Sequence, residues 1–156
     1  MSVFVAEELS EVLNTKVVIG RINMGLLNRI IIDDVLLDDQ SGQEMLKVTR
    51  LSAKFDIMPF FKGKISISSV QLFGFNINLR KETPDSPPNF KFVLDAFASK
   101  DTVKKENSLD LRINSILIRR GRMSYHVLSE EETPGKFNAK HIQLQNIIAN
   151  ISLKAL

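Results

Sequence analysis

The chain has 156 residues, 44% of them hydrophobic and 25% charged, with a formal net charge of +3 at pH 7. That is enough apolar material for one substantial core and short for two domains. The absence of cysteine excludes disulfides, thiolate metal sites and cysteine nucleophiles, and no window approaches the roughly 18 apolar residues that a membrane-spanning helix needs.

Ser2 to Asn14 reads as an amphipathic helix, with Val5, Leu9, Val12 and Leu13 on one face and Glu7, Glu8 and Glu11 elsewhere. Lys16 to Met24 follows as a first strand and Leu26 to Asp38 as a second. Asp39-Gln40-Ser41-Gly42 supplies turn conformations for a hairpin into a third strand, Glu44 to Ile57, which Pro59 ends. Lys64 to Arg80 is the fourth. Thr83-Pro84-Asp85-Ser86-Pro87-Pro88 propagates neither strand nor helix and reads as a loop. Asn89 or its successors then cap a short helix, Phe90 to Ser99, whose Phe90, Val93, Leu94 and Phe97 share a face. A polar connector, Lys100 to Ser108, leads to a fifth strand, and Ser129 to Lys136 forms a hairpin loop into a sixth. The organisation is therefore a single domain over 1–156: a helix at 1–14, a first β segment at 16–80, a loop plus short helix at 81–108 and a second β segment at 109–156. A chain that opens in a helix and closes in a strand pattern reads as a piece of something longer.

Across these strands one pattern recurs, apolar-x-apolar-x-x-apolar-x-apolar. It appears as Val17/Ile19/Ile22/Met24, Ile30/Ile32/Val35/Leu37, Leu46/Val48/Leu51/Ala53, Ile65/Ile67/Val70/Leu72, Leu111/Ile113/Ile116/Ile118 and Phe137/Ala139/Ile142/Leu144. Three copies continue past a second skip, to Phe75/Ile77/Leu79, Gly121/Met123/Tyr125 and Ile147/Ala149/Ile151, with Gly121 the one miss. A strand alternates faces at every residue, so each two-residue skip must be reset or the later apolar side chains point into water. The skipped pairs are mostly polar or contain glycine, as in Gly20-Arg21, Asp33-Asp34, Thr49-Arg50, Phe73-Gly74 and Gln145-Asn146. A bulge or tight bend at each would return the apolar set to one face and curve the sheet. The fold class is mainly β: a curved, bulged β-sheet of the repeating β-groove, or β-taco, type, with a short N-terminal helix and one short inserted helix. The apolar face either lines an open groove or packs as an ordinary closed core against a second layer. The scarcity of helix to cover it favours the groove.

Catalytic chemistry is hard to find. His126 and His141 are the sole histidines; each sits within a strand pattern, and neither has a metal-binding partner at useful spacing in the sequence. Asp33, Asp34, Asp38 and Asp39 lack the alternating ligands and terminal glutamate of an EF-hand. Gly20 to Gly25 is not followed by the lysine and hydroxyl of a phosphate loop. No enzyme, cofactor or metal is expected. Arg119, Arg120 and Arg122, with Arg112 and Lys104-Lys105 near in sequence, read first as a solvated face or charged sheet edge, and next as a contact for anionic headgroups. Nucleic acid is not expected, because no recognition motif accompanies them.

The run Leu9-Ser10-x-x-Leu13-x-Thr15-Lys16-Val17-x-Ile19-Gly20, then Leu27-Asn28-Arg29, Asp33-Asp34-Val35, Asp38-x-x-x-Gly42 and Gly63-Lys64-Ile65, resembles the membrane-proximal end of AsmA-like proteins. Within them it is similar to the TamB branch (translocation and assembly module) of Bacteroides-type Gram-negative bacteria, over nearly the whole chain. The resemblance implies a single-pass anchor in the inner membrane ahead of Met1 and a periplasmic body of β-strands folded into a hydrophobic groove. It also implies a non-enzymatic role in outer-membrane biogenesis: passive transfer of phospholipid between the two membranes. Assistance to outer-membrane protein assembly through a barrel partner is the alternative. On this reading the groove lining for acyl chains is Ile65, Ile67, Val70, Leu72, Ile113, Ile116, Ile118, Ile142, Leu144 and Ile151, and the groove cap is Phe90, Val93, Leu94 and Phe97.

Overall fold

The structure is a computed structural model and describes residues 2–56, 65–102 and 109–152. Its elements are α1 (Ser2–Leu13), β1 (Val17–Gly25), β2 (Arg29–Asp38), β3 (Glu44–Asp56), β4 (Ile65–Lys81), α2 (Lys91–Thr102), β5 (Leu109–Val127) and β6 (His141–Ser152). The strands form one open sheet in sequence order, β1-β2-β3-β4-β5-β6. Every neighbouring pair is antiparallel except β4 and β5, which are parallel. The parallel pair demands a return crossover, and the segment carrying α2 supplies it. The two β segments are thus halves of one sheet.

Register explains the repeat. Three lines of side chains cross all six strands, and a fourth is interrupted on β5. Val17, Leu37, Leu46, Ile77, Met123 and Leu144 form one, and Ile22, Ile32, Leu51, Leu72, Ile118 and Ala149 another. Met24, Ile30, Ala53, Val70, Ile116 and Ile151 form a third. In the fourth, Ile19, Val35, Val48 and Phe75 are paired in turn, as are Gly121 and Ile147. A Cβ at Gly121 would overlap the Phe75 ring, so the glycine that interrupts the pattern is filled by its neighbour's aromatic side chain.

The skips also align. Gly20, Asp34, Thr49, Gly74 and Arg120 stand opposite one another, strand by strand, and Asn146 continues the line on β6. Asp34, Gly74, Arg120 and Asn146 all have positive φ, between 54° and 66°. A single left-handed residue between extended ones advances the phase of its strand, and aspartate, asparagine and glycine tolerate that conformation best. Because partners reset together, β1 through β4 pass this line without a register shift. True shifts lie elsewhere, at Leu37/Asp38, Lys54/Phe55, Ile67/Ser69 and on both sides of Gly121. At the first of these, Met45 is the extra residue of β3, and it is buried.

α1 ends at Asn14, whose φ of 50° turns the chain out of the helix. The helix is tied to the sheet by two side chains. Ser10 Oγ accepts from the Val17 amide at 3.0 Å, and Thr15 Oγ1 reaches the Asp38 and Asp39 carbonyls, both at 3.0 Å. The helix thereby lies over the start of β1. Ala6, Leu13, Val17, Ile19, Leu37 and Met45 form the core, with Val5, Leu9, Phe90, Phe92, Val93 and Ala96 packed against it. Val12, expected on the inner face of α1, is exposed instead, and Ala6 takes the inward position.

Two boundaries differ from expectation. Leu26, Leu27 and Asn28 form the β1-β2 turn rather than the start of β2; Leu27 and Asn28 both have positive φ, which suits a tight hairpin. Phe137 and Ala139 lie in the β5-β6 loop, with Phe137 86% exposed, so the sixth copy of the repeat begins only at Ile142. The polar turn chemistry around Pro134-Gly135 extends to Lys140 and overrides the apolar pattern. Ile57, Pro59 and Lys104-Lys105 lie outside the described residues.

Candidate functional site

The apolar face divides in two. At one end of β1 to β3, around Val17, Ile19, Leu37 and Met45, it is closed by α1 and by the start of α2, while Met24 at the far end of β1 is exposed. Over β4 to β6 it has no such lid among the described residues. Ile67, Val70, Leu72, Ile113, Ile116, Ile118 and Ile142 are half-buried, while Leu144 and Ile151 remain 45% and 41% exposed. Val70 and Ile116 sit side by side with Ile151, and Leu72 with Ile118, so these lining residues form a contiguous patch. Ile142 joins through Tyr125 and Leu79. Ile113 belongs to none of these lines: β5 carries two extra residues opposite Ile67/Ser69. The side chain of Ile65 lies outside the described residues.

Of the expected cap, Phe90 and Val93 pack on the core cluster. Leu94 does not, being 58% exposed. Phe90 packs from just ahead of the helix, which starts at Lys91, and the inward side of α2 runs through Phe92, Val93 and Ala96. The Phe97 side chain lies outside the described residues. The packed part of this cap rests on the β1-β3 half of the sheet and leaves the β4-β6 patch open.

The opposite face is polar and charged. Asp33 receives a paired contact from Arg50, at 2.6 Å from Nε and 3.2 Å from Nη2. The Arg50 hydrogen bond holds the Asp33 carboxyl below the usual carboxylate range, against the opposing effect of burial. The same bond raises Arg50. The Arg120 guanidinium lies 5.4 Å from the centre of the Phe73 ring. Of the basic residues read from the sequence, Arg120 and Arg122 line an open hollow of about 580 Å³ with Lys47, Thr49, Phe75, Asn76 and Asn146, and the Arg112 side chain lies outside the described residues.

Asp39, expected as a turn residue, does more. Its Oδ1 accepts from the Ser41 amide, the Ser41 hydroxyl and the Gln43 amide, and its Oδ2 from Arg80 and Asn89. One buried carboxylate thus fastens the β2-β3 turn to the end of β4 and to the loop before α2. Only the turn was legible in the sequence.

His126 and His141 were also missed as a pair. They are cross-strand partners on β5 and β6, with Nδ1 atoms 2.9 Å apart and ring centres 5.2 Å apart. The signal was present: the two positions are nearly symmetrical about the middle of the expected hairpin loop, Ser129 to Lys136.

No family model matches this chain, and no curated protein matches it either.

Proposed function

We propose that the open apolar patch on β4 to β6 holds the acyl chains of phospholipid, and that the chain is a non-enzymatic, membrane-proximal segment of a longer hydrophobic β-groove. On this proposal it sits at the periplasmic face of the inner membrane of a Gram-negative envelope and passes phospholipid towards the outer membrane. The observation that carries the proposal is the set of apolar lines that cross the sheet from β1 to β6 and end, on β4 to β6, in a contiguous patch that reaches water at Leu144 and Ile151. The open patch spans three strands at about 4.8 Å spacing, roughly 10 Å across, and the 12 residues of β6 run about 40 Å beside it, so an extended acyl chain fits along the strands. Each methylene that leaves water contributes about 0.8 kcal/mol, while the headgroup stays hydrated at the rim. The crossing lines are chemically alike from strand to strand, so a chain gains similar energy at successive positions and is not trapped at one.

The test is native mass spectrometry and lipid extraction on the chain purified without detergent, followed by titration with a fluorescent phospholipid. Copurified or titratable phospholipid, lost when Ile116 and Ile142 are replaced by aspartate in a chain that keeps its circular dichroism, is the expected result. A folded protein that takes up no lipid rejects the proposal.

A second reading rests on the free edge of the sheet. Among the described residues β6 pairs only with β5, and its Leu144, Ile148 and Ile151 are exposed. An unpaired edge of this kind recruits another β-strand, such as a barrel protein in outer-membrane assembly or the next segment of a longer sheet. Backbone protection of β6 amides on adding a candidate strand peptide, with no lipid uptake, is the outcome that favours this reading.

A further inference from the structure

We propose that His126, His141 and Glu132 form a binding site for a divalent transition-metal ion of the zinc class, located at the β5-β6 end of the sheet. The site lies on the face opposite the apolar patch, because Tyr125 and Ile142 occupy that patch and the adjacent residues of a strand alternate sides. It is therefore independent of the lipid reading.

The argument begins with the tautomer of His141. Its Nε2 lies 2.8 Å from the Glu130 carbonyl oxygen, and a carbonyl only accepts, so Nε2 carries the proton. The neutral ring then presents a bare lone pair at Nδ1. That lone pair faces the Nδ1 of His126 at 2.9 Å. Two imidazole nitrogens brought together in this way share either a proton or a cation. A histidine whose far nitrogen donates to a backbone carbonyl, leaving the near one as ligand, is the usual outer arrangement of a metal-bound imidazole.

A third ligand is already nearby. The Glu132 carboxylate and the two histidine nitrogens all lie within 4.8 Å of one another. Glu132 has no cationic partner among the described residues. Its loop is held in shape independently, by the Asn138 amide donating to the Glu131 carbonyl at 3.1 Å and by a Lys140–Glu130 ion pair at 3.0 Å. The site is thus assembled by the hairpin before any ion arrives.

Donor chemistry selects the metal class. Two imidazoles and one carboxylate suit zinc, nickel or copper, whereas calcium and magnesium require oxygen ligands. Tetrahedral zinc with Zn–N near 2.1 Å places its two nitrogens roughly 3.4 Å apart. The histidines need to separate by only about half an ångström, which small side-chain rotations supply. The exposed side of the site leaves the fourth position to water. A bound ion would staple the 128–140 loop and the start of β6 to β5.

The experiment is calorimetric titration of the intact chain with zinc chloride, paired with cobalt(II) absorption as a readout of geometry. Expected are saturation at about one ion per chain, tetrahedral cobalt bands between roughly 500 and 650 nm, and no binding of calcium or magnesium. His126→Gln with His141→Gln should weaken zinc binding at least about 100-fold and abolish the bands. Glu132→Gln, at an exposed loop position that the fold does not need, should weaken binding about tenfold. Zinc uptake that is unsaturable, or that the Glu132→Gln chain and the double variant retain at full affinity, overturns the proposal, as does a purely octahedral cobalt spectrum.

Discussion

Asp39 is nearly inaccessible to water yet stays ionised, and its surroundings explain how. Burial pushes its carboxyl up, but donation from the Ser41 hydroxyl, the Gln43 amide and the Asn89 amide, with the Arg80 charge, outweighs this and holds it below the usual carboxylate range. The folded chain therefore holds this proton less readily than the unfolded chain does. The stabilisation is full above the ordinary carboxylate value and fades as pH falls through and below it. Asp39→Asn should cost about 2 kcal/mol at pH 7, since Arg80 loses its charged acceptor. In urea denaturation the gap between the two proteins should narrow below about pH 4; a gap equal at pH 7 and pH 3 would show that charge plays no part. Gly74 makes the complementary case, where backbone rather than charge decides. Its φ is +66°, and an added Cβ would lie 2.7 Å from Thr49 Oγ1. Gly74→Ala should destabilise by about 2 kcal/mol and lower Tm by roughly 4–8 °C. An unchanged Tm would mean that the strand resets its phase without a left-handed residue.

At the scale of elements, α1 depends on a few contacts that the sequence made partly visible. The motif behind the family resemblance places Leu9, Leu13, Val17 and Ile19 in or against the core and gives Ser10 and Thr15 their bonds to the strands. Those residues describe how a helix is docked to a sheet, which is why they inform about fold and leave activity open. Leu13→Ala should cost about 3 kcal/mol, because Ala6, Val17 and Met45 cannot collapse onto the space it leaves; chemical denaturation measures this. The strands were legible through their apolar spacing, and the skips correctly announced a phase reset. What spacing could not supply was the alignment of the resets into one line from Gly20 to Asn146, because that line depends on which residues face each other across strands. Arg120 illustrates the limit. Nothing in its side chain favours a φ of 54°, and its position is understood only once Phe73 is found beneath the guanidinium. Leu94 differs for a related reason: the face of α2 that meets the core runs through Phe92, Val93 and Ala96, and which face turns inward depends on the tertiary contact rather than on the apolar spacing.

For the whole molecule the deciding fact is that, among the described residues, the helices cover only part of the apolar face. The order of its strands and the parallel β4-β5 junction were not readable from the chain, since both follow from where the segment containing α2 returns. Given that topology, the apolar surface around Val17, Ile19 and Leu37 is sealed by α1 and α2, and the β6 side meets water at Leu144 and Ile151. A contiguous apolar patch that meets water gains free energy from any cover, and a second copy is the nearest one available in a pure solution. The chain should therefore associate reversibly as its concentration rises in sedimentation equilibrium, and a short-chain lysophospholipid below its micelle concentration should return it to monomer by competing for the same surface. Replacing Ile118 with lysine, a half-exposed position in the centre of the patch, should abolish both association and the lysophospholipid effect while leaving the covered half of the sheet folded. Association that persists in the Ile118→Lys chain would place the contact on the β6 edge instead, where backbone pairing rather than apolar burial supplies the energy.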